Sequence, residues 1–181
     1  MRFSVVAFSA TVVSLGALSS VPASAAEGQW HLGGGLGAAS FARTDSGFGP
    51  ALGVQAAYEL SDMFDIHLEF SASQHSFVEG INTRFYGANA GFIYKVDVIE
   101  WVPYLGLYAG VFRFDGDVIP APLQRTELGI GVPLGLDYSF SRSFAVGAQG
   151  RYHGFMSDPM DSIGDAPYFL ALLRAEYRWG W

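Results

Sequence analysis

From Phe64 to Ser71 apolar and polar residues alternate without a break: Phe64, Ile66, Leu68 and Phe70 against Asp65, His67, Glu69 and Ser71. A period of two is that of a β-strand, whose successive side chains point to opposite faces. The segment therefore predicts a strand with one greasy face and one charged face. The pattern returns about eight times and predicts strands over 29–40, 50–60, 63–73, 83–95, 101–112, 126–138, 143–153 and 168–181. The connections alternate in length. Ser61-Asp62, Val96 to Glu100 and Ser139 to Arg142 are short, whereas 41–49, 74–82, 113–125 and 154–167 are long and rich in Gly, Pro, Asp and Ser. Short turns at one end and long loops at the other predict an all-β fold, an eight-stranded antiparallel up-and-down transmembrane β-barrel. The even strand number closes the sheet, so no edge is left unpaired in lipid.

The predicted outer face carries Leu52, Val54, Ala56 and Tyr58, then Tyr86, Ala88, Ala90, Phe92 and Tyr94, then Leu105, Leu107, Ala109 and Val111. It continues through Leu128, Ile130, Val132, Leu134 and Leu136, then Phe144, Val146 and Ala148, and ends with Ala171, Leu173, Ala175 and Tyr177. No ionisable group other than tyrosine is expected there, since a charge at mid-bilayer costs about 2–4 kcal/mol. The complementary face supplies a lumen network of Glu59, Asp65, His67, Glu69, Glu127, Asp137, Arg151, Arg174, Glu176 and Arg178, with Gln55, Asn89, Lys95 and Gln149. Glycines 33, 35, 37, 87, 91, 106, 110, 129, 131 and 135 share that face. In so narrow a barrel they leave room for long arginines paired with carboxylates, which predicts a plugged bore.

Aromatics gather at the strand ends. Trp30, Tyr58, Phe64, Tyr94, Trp101, Tyr138, Phe144, Trp179 and Trp181 fall at the turn side, and Phe41, Phe48, Phe70, Phe112, Tyr152 and Phe169 nearer the loops. Two such rings are the girdles of a membrane barrel. Alternation alone does not say which face is inner, and a secreted lipocalin-like barrel would reverse it. The aromatic rings and the short–long rhythm of connections favour the membrane.

The start of the chain fits a secreted product. Arg2 precedes an apolar run from Val5 to Leu18, and Ala23-Ser24-Ala25 places small residues at a cleavage site, so residues 1–25 are expected to be a signal peptide. Residues 26–181 are then expected to form one barrel domain, and no peptidoglycan-binding module is expected beyond Trp181. The run is too short to predict a transmembrane helix. The chain has no cysteine, which excludes a disulfide framework. Its net charge of −7 makes nucleic acid an unsuitable partner.

With these features the chain resembles the small outer-membrane β-barrel family typified by the transmembrane domain of outer-membrane protein A. Two segments carry the likeness. Residues 102–110, Val-Pro-Tyr-Leu-Gly-Leu-Tyr-Ala-Gly, are similar to that family's fifth strand, and Tyr177-Arg178-Trp179-Gly180-Trp181 resembles its C-terminal assembly signal. The resemblance implies an outer-membrane location, loops outside and both termini in the periplasm. It also implies assembly through periplasmic chaperones and the barrel-assembly machinery, contact with outer-membrane lipid and lipopolysaccharide, and a monomer. Tyr177, Trp179 and Trp181 would be the assembly signal, although the family's usual terminal residue is phenylalanine.

Candidate chemistry is sparse. His31 and His67 are expected in the bore, His75 and His153 near the loops, and no pair has zinc-site spacing. Some barrels resembling this one are lipid A acyl hydrolases or acyltransferases. His153, Ser157 and Asp158, or His75, Ser76 and Glu79, are the nearest approach to such a triad, without a recognisable motif. The loop acids Asp45, Glu79, Asp115, Asp117, Asp158, Asp161 and Asp165 match no calcium-loop spacing and read as solvated charge, with divalent bridging to lipopolysaccharide phosphates open. No enzyme, cofactor or metal is predicted. The favoured reading is a structural or surface-interacting barrel, with a narrow or gated solute channel as the alternative.

Overall fold

The computed structural model describes residues 28–42, 48–78, 81–96, 100–116, 126–156 and 167–180. Eight strands, β1 (Trp30–Phe41), β2 (Gly49–Ser61), β3 (Phe64–Val78), β4 (Ile81–Lys95), β5 (Trp101–Gly116), β6 (Thr126–Ser141), β7 (Phe144–Phe155) and β8 (Tyr168–Trp179), run in sequence order round a closed barrel. Each pairs antiparallel with its chain neighbour. β8 returns to β1 in an unbroken register from Trp30 opposite Trp179 to Phe41 opposite Tyr168. Two-residue turns at Asp62-Met63 and Arg142-Ser143 join β2 to β3 and β6 to β7. The register shifts at each of these turns, between Glu59 and Ser61 and between Ser139 and Ser141.

The faces sort as the alternation predicts. Along β8, Tyr168, Leu170, Leu172, Arg174 and Glu176 are buried, while Phe169, Ala171, Leu173, Ala175 and Tyr177 are exposed. Leu36 and Leu173, register partners across the β1–β8 seam, are 72% and 74% exposed. That is untenable for paired leucines in water and ordinary in hydrocarbon. Charged groups inside and leucines outside are the reverse of a lipocalin. The turn-end girdle is built from aromatic contacts: Trp30 on Tyr58, Phe64 on Tyr94 and Trp101 on Tyr138, with ring centroids 4.9, 5.2 and 4.9 Å apart.

Three expectations need correction. The loop expected over 74–82 is mostly strand, because β3 runs on to Val78 and β4 begins at Ile81, with Gln74 opposite Arg84 and His75 opposite Thr83. A strand above the hydrocarbon needs no apolar face, so a polar run such as Gln74-His75-Ser76 extends the ladder as well as a greasy one. Phe41 and Phe112, expected in the loop-side girdle, point inward and are buried. Their parity is that of Gly37 and Gly110, and parity overrides their place near the strand ends. Arg84, within a predicted strand, lies on the outer face expected to be free of charge, at its loop end. Trp181, the predicted leader and the loop acids other than Asp115 lie outside the described residues.

A lipid-facing wall has a depth-dependent tolerance for charge. Leu107→Arg, in the middle of β5, is expected to lower stability by about 2–4 kcal/mol, and Leu60→Arg, beyond the turn-end girdle, by about 0–1 kcal/mol. Denaturant unfolding in lipid vesicles reads both values; equal costs at the two positions would contradict the membrane assignment of this face.

Candidate functional site

Inside the barrel the side chains stack in levels set by the register. At the turn end, Lys95 of β4 lies 2.8 Å from Asp65 and 3.4 Å from Glu59. The His31 ring enters the same cluster, with Nδ1 3.3 Å from Glu176 and Nε2 3.5 Å from Glu59. Arg178 donates from Nε to Glu176 at 2.9 Å and from Nη1 to the Ser139 hydroxyl at 3.3 Å.

One level up, Arg174 of β8 spans the bore. It donates to both Asp137 oxygens, at 3.1 and 2.7 Å, to the Gln55 carbonyl oxygen at 3.1 Å and to Glu176 at 3.0 Å. Gln55 completes the ring by donating to Glu176 at 2.9 Å. The guanidinium carbon also sits 4.9 Å from the Tyr104 ring centroid. Planarity and five donors are what make arginine fit such a position. Above it, Arg151 of β7 makes a bidentate pair with Glu69 of β3, donates to the Gln149 amide oxygen at 2.9 Å and lies 5.0 Å from the Tyr108 ring centroid. His67 is bridged to these levels by Tyr108, whose hydroxyl is 3.3 Å from Nδ1.

Beyond Arg151 the bore turns apolar. Phe41, Phe85, Phe112, Phe114 and Tyr168, none more than 4% exposed, pack with Leu170 and Leu172 into one cluster. Phe85 is its centre, with centroids 4.5 Å from Tyr168, 4.7 Å from Phe114 and 5.5 Å from Phe112. The lining glycines accommodate these rings as much as the arginines. A Cβ at Gly87 would meet the Phe112 ring at 2.8 Å, and one at Gly135 would run into the Tyr104 hydroxyl.

The predicted lumen residues thus all face inward. Glu59, Asp65, His67, Asp137, Arg174, Glu176 and Arg178 form the lower lattice, with Glu69 and Arg151 above. Glu127 is buried at the loop end, opposite Phe112 in register. Tyr177 and Trp179 lie outside, their rings stacked 5.9 Å apart at the closing seam.

The aromatic half of the plug was not anticipated. The signal available was parity: Phe85, Phe112 and Phe114 sit in step with Gly87 and Gly110, residues assigned to the lumen. The candidate catalytic histidines also belong to this interior. His153 is wholly buried, its ring 4.9 Å from Phe112, and His75 is 2.9 Å from the Ser73 hydroxyl that accepts a hydrogen bond from Tyr168. Neither reaches the lipid-facing surface. Ser157, Asp158 and Glu79 lie outside the described residues.

Comparison with known proteins gives a family and a fold. The sequence profile of the outer membrane protein beta-barrel domain matches residues 8–166. Comparison with curated protein sequences finds no match. Among solved structures, Neisserial surface protein A is similar with a TM-score of 0.65 and 18% identity, over 86% of this chain and 98% of that one. OprG of Pseudomonas aeruginosa follows at 0.59 and 12%, over 85% and 97%, and Ail of Yersinia pestis at 0.55 and 17%, over 85% and 100%. At these identities the likeness is one of fold.

A buried bidentate pair costs more to break than to replace. Arg151→Leu strands the Glu69 carboxylate and is expected to cost about 3–5 kcal/mol, whereas Arg151→Leu with Glu69→Leu recovers most of that loss. Unfolding midpoints of the two variants in vesicles test this; a double variant no better than the single one would mean that the pair does not act as a unit.

Proposed function

The chain belongs to the outer membrane protein beta-barrel domain family, and on that premise we propose that it serves as a sealed wall element of the outer membrane whose work is structural and surface-facing. The observation that carries this is the double closure of the bore. Arg174 reaches Asp137, Gln55 and Glu176 on three strands at one level. The Phe41–Phe85–Phe112–Phe114–Tyr168 cluster occupies another. A solute path would have to displace both a cross-strand ionic lattice and a packed aromatic cluster, and either alone opposes flow in so narrow a barrel. This supports the sealed reading over a narrow or gated channel.

In this reading the long connections lie outside the cell and the two-residue turns and both termini face the periplasm, as the family resemblance implies. Partners are then outer-membrane lipid and lipopolysaccharide along the wall, surface ligands at the loops, and periplasmic chaperones with the barrel-assembly machinery during insertion. The barrel works as a monomer, with the Tyr177, Trp179 and Trp181 end as its assembly signal. Catalysis is not part of the proposal, because the buried positions of His75 and His153 withhold a base from the outer-leaflet surface. Ail, named as an attachment invasion locus protein, has been crystallised with the heparin analogue sucrose octasulfate. The long connections here carry seven acids against three arginines, so a soluble polyanion at the loops is a poorer candidate than a cationic surface.

Purified protein in planar bilayers is expected to give no steady conductance steps; discrete, sustained currents would overturn the sealed reading. Orientation is tested separately in whole cells, where the cysteine-free background permits single Phe48→Cys and Asp62→Cys variants. A membrane-impermeant maleimide is expected to label the first and spare the second, and the opposite pattern would reverse the topology.

A further inference from the structure

The outer wall carries cations at one place among the described strands. Arg84 of β4 and Arg113 of β5 both point outward and are exposed. Arg84 is opposite Asp115, and Arg113 is opposite Tyr86, so the two arginines are diagonal neighbours across one strand pair. Diagonal positions lie about 7–8 Å apart, within reach of long side chains converging on a shared ligand. Their flanking partners are neutral, Gln74 on β3 and Thr126 on β6. Among the described residues Asp115 is the carboxylate beside them, and no ion pair within 4 Å joins it to either arginine. The bore cations Lys95, Arg151, Arg174 and Arg178, by contrast, all pair with carboxylates.

Their depth follows from the strand geometry. Arg84 lies ten residues beyond Tyr94 of the turn-end girdle, and Arg113 twelve beyond Trp101. At about 3.3 Å per residue and a tilt of about 40°, those runs climb about 25 and 30 Å. The apolar band of such a barrel is about 25 Å tall. Both guanidinium groups therefore stand at the headgroup level of the far leaflet. Directly beneath them the outer face is apolar, with Phe70 stacked on Tyr86 at 6.3 Å and Val111 and Leu128 beside them. A cationic fork above an aromatic and aliphatic slope has the chemistry of a site for an acylated, phosphorylated headgroup, with phosphate oxygens on the arginines and chains on the slope.

We propose that Arg84 and Arg113 form a binding site for a phosphate of an outer-leaflet acylated glycolipid of the lipid A kind. The proposal rests on the loops-outside reading for its place in the cell, though not for its chemistry. The site offers charge-assisted hydrogen bonds at an interface where water is depleted. It also places a lipid contact where β4 and β5 reach the upper edge of the apolar band.

The test uses the full barrel refolded in detergent micelles, with bis-phosphorylated hexa-acyl lipid A as the probe and lipid retention read by native mass spectrometry. Wild type is expected to retain lipid A at least tenfold better than Arg84→Gln/Arg113→Gln, and to lose the same preference when the probe is fully dephosphorylated. Arg84→Lys/Arg113→Lys is expected to keep most of the binding, and Arg142→Gln, at a turn on the opposite end, to keep all of it. Heat-modifiable gel mobility confirms that each variant is folded. Unchanged retention by the double glutamine variant, or equal retention of dephosphorylated lipid, would overturn the site. Full competition by millimolar inorganic phosphate would reassign it to free anion and overturn the lipid source. Because micelles have no sidedness, a wrong topology would show in the maleimide labelling and leave this result untouched.

Discussion

Hydrocarbon offers no partner to a backbone N–H or C=O, and that single constraint organises the molecule. A sheet can meet it only by closing on itself, and here β1 and β8 close in continuous register from Trp30–Trp179 to Phe41–Tyr168. Closure at eight strands leaves a bore just wide enough for side chains. Everything facing inward must then find partners inside, and everything facing outward must tolerate lipid. The alternation of Phe64 to Ser71 is the local trace of that division.

The interior solves its problem in two chemically different ways. Near the turns it uses charge: Arg174 serves acceptors on β2 and β6, and Arg151 grips Glu69 of β3, so each of these guanidinium groups ties together parts of the wall distant in sequence. Burying such groups is costly unless their hydrogen bonds are met, and here they are arranged around the planar fork. Near the loops the interior uses dispersion and apolar burial, with Phe85 at the centre of the ring cluster. The glycines connect the two solutions. They thin the wall opposite bulky groups, as at Gly87 beneath Phe112, so that a barrel of fixed circumference holds rings that would otherwise clash with it.

Strand number, order and facing were legible because they depend on a period of two, which survives in sequence regardless of detail. The ionic lattice was legible for the same reason: Glu69, Arg151, Arg174 and Glu176 share a parity that only a bore can satisfy. Pairing was not, since nothing in one chain says that Arg151 meets Glu69 across the barrel; that follows from stagger and curvature. Height along the strand suggests a girdle at Phe41 and Phe112, but parity decides which way a strand residue faces, and theirs is that of the bore. Strand length beyond the lipid was underestimated at β3 and β5, where the chain loses its apolar face but keeps its backbone ladder.

On the sealed reading proposed above, the question of function moves to the outside of the wall and the loops, and the distribution of charge then becomes the informative variable. The described cations inside are all committed to carboxylates, so they are structural in effect whatever their origin. The loop sequences are acidic, and the outward wall is apolar from girdle to girdle. Against that background Arg84 and Arg113 stand apart: they are extended into solvent or headgroup, uncommitted to Asp115, and placed where the hydrocarbon ends. In water alone, two adjacent exposed arginines repel weakly and contribute little to folding. At the headgroup level of an anionic leaflet the same pair gains phosphate counter-charge beyond the single neighbouring carboxylate, Asp115, that the described strands place beside it, and the proposed lipid site rests on that difference.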